Sequence, residues 1–169
     1  MTFWTIQLLN ALSLSMVLFL LSAGLTVIFG LMRVVNLAHG SFYLLGGYIG
    51  ISVIEATGSF WIALLVAPLV VAVVGGLTQR FLLRQLQDDE LAQVLLTFGI
   101  LLVVADCALW IWGGIPQMLP RPDFLQGSVR YEGLVFPTYR LALTAAGIIA
   151  VVAIWLVFER TRIGAIVRA

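Results

Sequence analysis

The chain has few of the side chains that soluble proteins use on their surfaces and in metal sites. It contains no lysine, one histidine and one cysteine, and 10% of its 169 residues are charged, against about 25% in a typical soluble domain. A single cysteine cannot form an internal disulfide, and a single histidine argues against a metal site. The basic residues, all arginine, are nearly balanced by acidic ones, which argues against nucleic-acid binding. We expect no catalytic group, metal or cofactor.

Apolar sequence is what the chain has in abundance. Hydrophobic residues make up 62% of it and the mean hydropathy is +1.12, values typical of an integral membrane protein. A helix needs about 20 apolar residues to cross a bilayer, and only the second apolar segment is short by that measure. We predict an all-α polytopic membrane protein, a single transmembrane domain over residues 1–169, with about five spanning helices and an outer loop at 113–137. The predicted helices cover residues 3–32, 41–57, 59–79, 91–112 and 138–158.

A polar stretch separates the first two apolar segments. No charged side chain precedes Arg33, and Asn36, His39 and Gly40 follow it before the next hydrophobic run begins. Irregular backbone at membrane depth is stable only where it is buried in protein or lines a wet cavity. We therefore predict a broken or re-entrant segment near residues 33–40 and take it as the candidate functional site. A packed junction between two helices remains the alternative.

The arginines predict how the chain is inserted. If residues 80–90 are cytoplasmic, six arginines lie on the inner side, and only Arg121, Arg130 and Arg140 lie outside. This asymmetry is what the positive-inside rule requires, and several aromatic residues then fall near the outer interface, which they prefer. We therefore predict an external N-terminus.

Other polar or small residues have structural interpretations. The acidic residues 88–90 stand where they can cap the fourth helix. Gly46 and Gly50 form a small-residue face against which a helix of this chain or of another subunit can pack. An ion pair between Asp106 and Arg140 is compatible with the topology, because a charge within an apolar segment needs a partner, a cavity or the interface.

The sequence around the polar break resembles a known family. Residues 24–42, GLTVIFGLMRVVNLAHGSF, closely resemble the signature of the membrane permeases of branched-chain amino-acid ABC importers. Residues 96–99, LTFG, and residues 160–169, RTRIGAIVRA, resemble further stretches of the same permeases. The first motif is highly specific, and the other two support it.

This resemblance implies a permease subunit in the bacterial inner membrane that works with a second permease subunit, ATP-binding subunits and an external solute-binding protein. Such a subunit is not an enzyme, and the chain contains no phosphate-binding loop with the pattern GxxxxGK[ST]. Family members are longer, so we expect this chain to be an N-terminal fragment that ends in its coupling region.

The resemblance and the polar break together predict two groups of site residues. Broken helices in transporters supply backbone dipoles for the charged ends of a solute. The predicted translocation path is formed by Asn36, His39 and Gly40, with Arg33 at its cytoplasmic end. The predicted ATPase-coupling side carries Arg160, Arg162 and Gly164.

Two alternatives to branched-chain amino-acid import remain open. A permease of this kind can serve a binding protein for urea or a short amide, and a chain of this kind can also be a passive channel or a membrane assembly module. In the outer loop, the pattern at residues 128–131 and 134–136 predicts a hairpin. That hairpin either meets the binding protein or folds over its own helices.

Overall fold

The residues that the structure describes form five α-helices and one short hairpin, with two 3-10 turns. The computed structural model describes residues 2–32, 36–118, 122–131 and 134–160. This architecture confirms the predicted all-α class. The helices are α1 (Thr2–Met32), α2 (His39–Thr57), α3 (Phe60–Phe81), α4 (Glu90–Trp112) and α5 (Thr138–Arg160), with 3-10 turns at Leu83–Leu86 and Asp123–Leu125 and strands β1 (Ser128–Tyr131) and β2 (Leu134–Pro137).

Four of the helices within the described residues, α1, α3, α4 and α5, are long and apolar enough to cross a membrane. Helix α2 has 19 residues, of which four are glycine, and it does not reach that hydropathy. The expectation that the second segment is the short one is therefore confirmed. The chain divides into two compact units, one with α1, the hairpin and α5, and the other with α2, α3 and α4.

A tight turn joins α2 to α3. Gly58 ends α2 in the left-handed region at φ 67°, and its N–H donates to the carbonyl of Ile54 at 2.7 Å. The next residue, Ser59, is the N-cap of α3, and its hydroxyl accepts from the N–H of Ile62 at 3.5 Å. Glycine tolerates positive φ without a steric penalty, and serine is a favoured N-cap. Both helix ends are thus satisfied by residues of the turn itself.

The predicted cap of α4 is also present. The Asp89 carboxylate accepts from the N–H of Ala92 at 2.9 Å, and Glu90 lies in the first turn of the helix. Negative charge at this end complements the helix dipole.

Small residues bring α2 and α3 together. A Cβ on Gly46 would meet the Val71 side chain at 3.5 Å, and one on Gly50 would meet Ala67 at 3.9 Å. The residue number in contact rises from 46 to 50 along α2 and falls from 71 to 67 along α3, so the two helices are antiparallel. The predicted packing face of Gly46 and Gly50 therefore packs against α3 of this chain.

In the other unit, polar contacts join α1 to α5. The Ser13 and Thr144 hydroxyls are 3.1 Å apart, and Arg140 donates to the Asn10 side-chain oxygen. The contacting residue numbers rise together, from Asn10 with Arg140 to Ser13 with Thr144, so α1 and α5 run parallel. A Cβ on Gly147 would approach the Met16 side chain to 2.6 Å, which shows that this contact requires a glycine.

The hairpin precedes α5 directly. Strands β1 and β2 pair antiparallel, with Val129 opposite Phe136 and Arg130 opposite Val135. Phe136 is buried, whereas Val129, Arg130 and Val135 are exposed. The predicted hairpin is confirmed, and it is tied to the start of α5 by the Thr138 N–H, which donates to the Gly127 carbonyl at 3.0 Å.

Candidate functional site

Residues 36–38 form a turn ahead of α2. The side-chain oxygen of Asn36 accepts from the N–H of Ala38 at 3.0 Å, and its backbone carbonyl accepts from the N–H of His39 at 3.2 Å. A side chain that bonds its own backbone two residues ahead is an Asx turn, for which asparagine is favoured. The first described residues after α1, residues 36–38, are therefore not helical, as predicted for this segment, and residues 33–35 of the predicted break lie outside the described residues.

The start of α2 has no side-chain cap. Its N-cap residue is Ala38, which makes no capping side-chain hydrogen bond. The Ala38 carbonyl instead accepts from the N–H of Phe42 at 3.0 Å and from the Ser41 hydroxyl at 2.8 Å. The positive end of the helix dipole therefore lies at His39 and Gly40 with no acidic residue in the first turn to compensate it.

Burial changes sharply from residue to residue at this start. Ala38 and Ser41 are buried, Asn36 and His39 are half-buried, and Gly40 is exposed. Among the described residues, a Cβ on Gly40 would meet no atom within 4 Å beyond its neighbours in the chain. One side of the turn is therefore packed into the protein, and the other side opens at Gly40.

Helix α4 holds the packed side. The N–H of Leu37 donates to the hydroxyl of Thr97 at 3.3 Å, and that hydroxyl donates to the carbonyl of Val94 at 3.0 Å. Thr97 is fully buried. The break and the LTFG stretch at residues 96–99 therefore meet at this hydrogen bond.

A second contact joins the far ends of the same helices. The indole N–H of Trp112 donates to the Ser52 hydroxyl at 2.7 Å, and its ring stacks on Tyr48 with centroids 5.0 Å apart. The two hydrogen-bonded pairs, Leu37 with Thr97 and Ser52 with Trp112, have the same sequence separation of 60. Helices α2 and α4 therefore run parallel and in register.

This register gives the depth of the break. His39 lies level with Gly99, nine residues beyond Glu90, which is about 14 Å along α4 at ~1.5 Å per residue. Helix α4 has 23 residues, or about 34 Å, enough to cross a bilayer. Helix α2 therefore begins partway along a membrane-spanning helix and not level with its end.

Comparison with known protein families identifies the chain. The model of the family described as branched-chain amino acid transport system, permease component, matches residues 7–169. The chain belongs to this permease family. It is accordingly a multi-pass membrane protein and a component of a transport system. No curated protein and no solved structure matches it.

The predicted site residues of the permease fall in different places. Asn36, His39 and Gly40 lie together at the start of α2. Arg160 is exposed at the last position of α5, in the other unit, where a cation complements the helix dipole. Arg33, Arg162 and Gly164 lie outside the described residues.

Sequence reasoning did not foresee the polar groups that hold the break. The sequence does not indicate that Thr97, Ser52 and Trp112 form contacts between helices, because a hydroxyl in an apolar helix equally well bonds a carbonyl of its own helix. Thr97 was noticed only as part of a stretch that resembles the family. Its buried position facing α2 becomes apparent only when both helices are seen together.

The ionisable groups within the helices have different surroundings. Arg140 donates to the side-chain oxygen of Asn10 and, at 3.0 Å, to the hydroxyl of Tyr139. The described partners of this guanidinium are thus neutral oxygens, and its ion pair with Asp106, which lies in the other unit, stays a prediction. Asp106 is exposed, nine residues beyond Thr97 and hence on the opposite side of α4.

A cavity of about 700 Å³ lies along α2 and α3. Its lining includes Tyr43, Gly47, Phe60, Leu64 and Pro68, and the described residues that line it carry no charge. A zwitterionic solute would find no charged partner there for either of its ends, and this apolar surface is therefore a poor candidate for the solute site.

Proposed function

We propose that this permease is the membrane subunit of an ABC importer and forms part of the translocation path for branched-chain amino acids. ATP hydrolysis in partner subunits drives the transport. The observation that carries the proposal is the start of α2, which lies about 14 Å along the membrane-spanning α4 by the helix rise.

A helix that begins within the membrane is a feature with functional meaning. Backbone that leaves helical geometry at that depth is stable only if it is buried in protein or faces water. Ala38 satisfies the first condition, because it is fully buried, and Gly40 opens on the other side. Transporters use such discontinuous helices to present backbone groups to their solutes.

The chemistry of the start of α2 matches one end of an amino acid. The N-terminal end of a helix carries partial positive charge, which favours a carboxylate. The exposed Gly40 allows a solute to approach the backbone closely. Asn36 and His39 add polar side chains beside it, and the surrounding apolar helices suit a branched aliphatic side chain. In this proposal Arg33 lies at the cytoplasmic end of the path.

The proposed assembly contains a second permease subunit, ATP-binding subunits and an external solute-binding protein in the bacterial inner membrane, with the N-terminus of this chain outside. The parallel arrangement of α1 and α5 fits a chain that crosses alternately five times, because such a chain starts its first and fifth helices on the same side of the membrane. The external N-terminus is supported by the excess of arginine on the other side of the membrane.

The two ends of α5 would then face different partners. In this proposal Arg160, the last residue of α5, and Arg162 and Gly164, which come after it in the sequence, would face the ATPase on the cytoplasmic side. On the outer side, the hairpin would meet the binding protein through the face opposite Phe136, where Arg130 and Val135 are exposed.

Uptake by the complete transporter tests the proposal. The assembly is reconstituted in vesicles with its binding protein, and uptake of labelled leucine is measured with and without ATP. We expect uptake that requires both ATP and the binding protein. Flux that persists without nucleotide would show that the chain is a channel. ATP-driven uptake of urea in place of leucine would show that the solute is a short amide and not a branched-chain amino acid.

A substitution at the break connects this transport to the site. We expect Gly40→Leu to reduce uptake to the level seen without ATP, because its side chain projects into the space that opens at Gly40. The matched control is Gly76→Leu in α3, where an added Cβ also meets nothing within 4 Å. Equal uptake by the two variants would show that the path does not pass Gly40.

A further inference from the structure

The start of α2 is held to α4 by a hydrogen bond that involves one side chain. The Thr97 hydroxyl has a single proton, which it donates to the Val94 carbonyl at 3.0 Å. Towards the N–H of Leu37, 3.3 Å away, it acts as an acceptor. Thr97 is fully buried, so water does not reach its hydroxyl, and removal of that hydroxyl takes this acceptor away from the Leu37 amide.

We propose that Thr97 is a positioning residue that sets the depth and orientation of the break at residues 36–40. This inference rests on the proposed function. Thr97 does not contact the solute in this scheme and acts through Leu37, the residue between Asn36 and Ala38. Leu37 itself is partly exposed, so the hydrogen bond of its backbone, and not burial of its side chain, ties the turn to α4.

The remainder of α2 has its own attachments. Ser52 bonds Trp112 at 2.7 Å at the far end of the helix, and Gly46 and Gly50 contact α3. Loss of the Thr97 acceptor therefore changes how the start of the helix is held, while its register with α4 is still held at Ser52. A variant at Thr97 is thus expected to fold and assemble.

The role of the hydroxyl can be separated from the role of its volume. Thr97→Val keeps a branched side chain of similar size but removes the acceptor, whereas Thr97→Ser keeps the hydroxyl and loses a methyl group. The matched control is Thr26→Val in α1, where the hydroxyl donates to the Ser22 carbonyl of its own helix at 2.8 Å.

The experiment uses the assembled transporter with a cysteine reporter at the break. The native thiol is removed by Cys107→Ser, Gly40→Cys is introduced, and the rate of its modification by a membrane-impermeant methanethiosulfonate is measured in vesicles. We expect Thr97→Val to change this rate by at least about fivefold, as loss of a buried partner implies. Thr97→Ser should restore the rate, and Thr26→Val should leave it unchanged.

Transport kinetics give a second readout in the otherwise unmodified transporter. We expect Thr97→Val to lower the maximal uptake rate more than it changes the concentration of loaded binding protein needed for half-maximal uptake, because the substitution lies away from the outer surface. A modification rate that stays the same in Thr97→Val would overturn the inference, as would a change that Thr97→Ser fails to restore. If the cysteine at position 40 reacts in no nucleotide state, the proposed function fails instead.

Discussion

The two ends of α2 show two different ways of connecting helices. At its C-terminal end, Gly58 and Ser59 close α2 and open α3 with hydrogen bonds that the turn makes itself. At its N-terminal end, Ala38 offers no side-chain cap, and the turn adds to the bonds of Asn36 one to Thr97, sixty residues beyond Leu37 in sequence. A self-sufficient turn suits a membrane surface, where water completes whatever the residues leave unsatisfied. A turn that is also hydrogen-bonded to another helix suits a buried site whose position matters for transport.

The largest expected difference between the two ends of α2 is in how transport responds to a bulky side chain. Gly40→Leu is expected to abolish transport while the assembled complex remains intact. A leucine at Gly58 is expected to reduce stability and to leave the uptake per folded transporter unchanged. Uptake normalised to assembled complex measures both. Loss of transport in fully assembled complexes that carry the substitution at Gly58 would contradict this difference between the two ends of α2.

A smaller effect is expected from the turn at residues 36–38. Asn36→Ala removes the oxygen that accepts from the N–H of Ala38 at 3.0 Å. Because the loss of one such bond costs about 1 kcal/mol, we expect a several-fold decrease in the uptake rate. Asn36→Ser, which retains an acceptor able to form a similar turn, should recover most of it. If alanine and serine behave alike, the side-chain oxygen does not shape the path.

At Gly58 the effect is expected in stability alone. A valine there must adopt the left-handed conformation at φ 67°, at a cost of about 1 to 2 kcal/mol. We expect a lower midpoint of thermal unfolding in detergent and normal transport kinetics for the surviving protein. Gly47→Val, at a glycine of the same helix with ordinary φ and open space at its Cβ, serves as the control.

The smallest expected effect is the loss of the cap on α3. Ser59→Ala removes a hydrogen bond of 3.5 Å, which is long, so the cost is about 0.5 kcal/mol, at the low end for N-caps. Thermal unfolding should shift slightly, and uptake should be unaffected. Ser59→Asp should restore the cap. A large loss of transport in Ser59→Ala would show that this turn, too, is part of the moving machinery.

Local features of the sequence were sufficient to predict most of the elements. The long apolar runs predicted the five helices with ends within about two residues, the usual uncertainty of such boundaries. The break near Asn36, the turn at Gly58 and the cap at Asp89 were predicted because their signals lie within a few neighbouring residues. The pattern at residues 128–136 predicted the hairpin for the same reason.

The partners of these local features were not predictable in the same way. Nothing in the residues around Leu37 indicates that its N–H bonds Thr97, and nothing around Gly46 shows that its packing partner is α3. Such contacts depend on the register between helices, which apolar periodicity does not specify when the helices are hydrophobic on every side. The depth of the break became clear only from two hydrogen bonds between α2 and α4, each of which joins residues 60 apart in sequence.

The most direct test of the central claim is a measurement of depth and water access at the two ends of α2. Spin labels are attached at cysteines replacing Gly40, Gly99 or Ser59 in the assembled transporter without Cys107, and their collision rates with oxygen and with a water-soluble nickel complex are compared. The account predicts that the label at 40 lies at the depth of position 99, well below that at 59, and yet is reached by the nickel complex in at least one nucleotide state. A label at 40 that is as shallow as the one at 59, or that only oxygen reaches in every state, would contradict it.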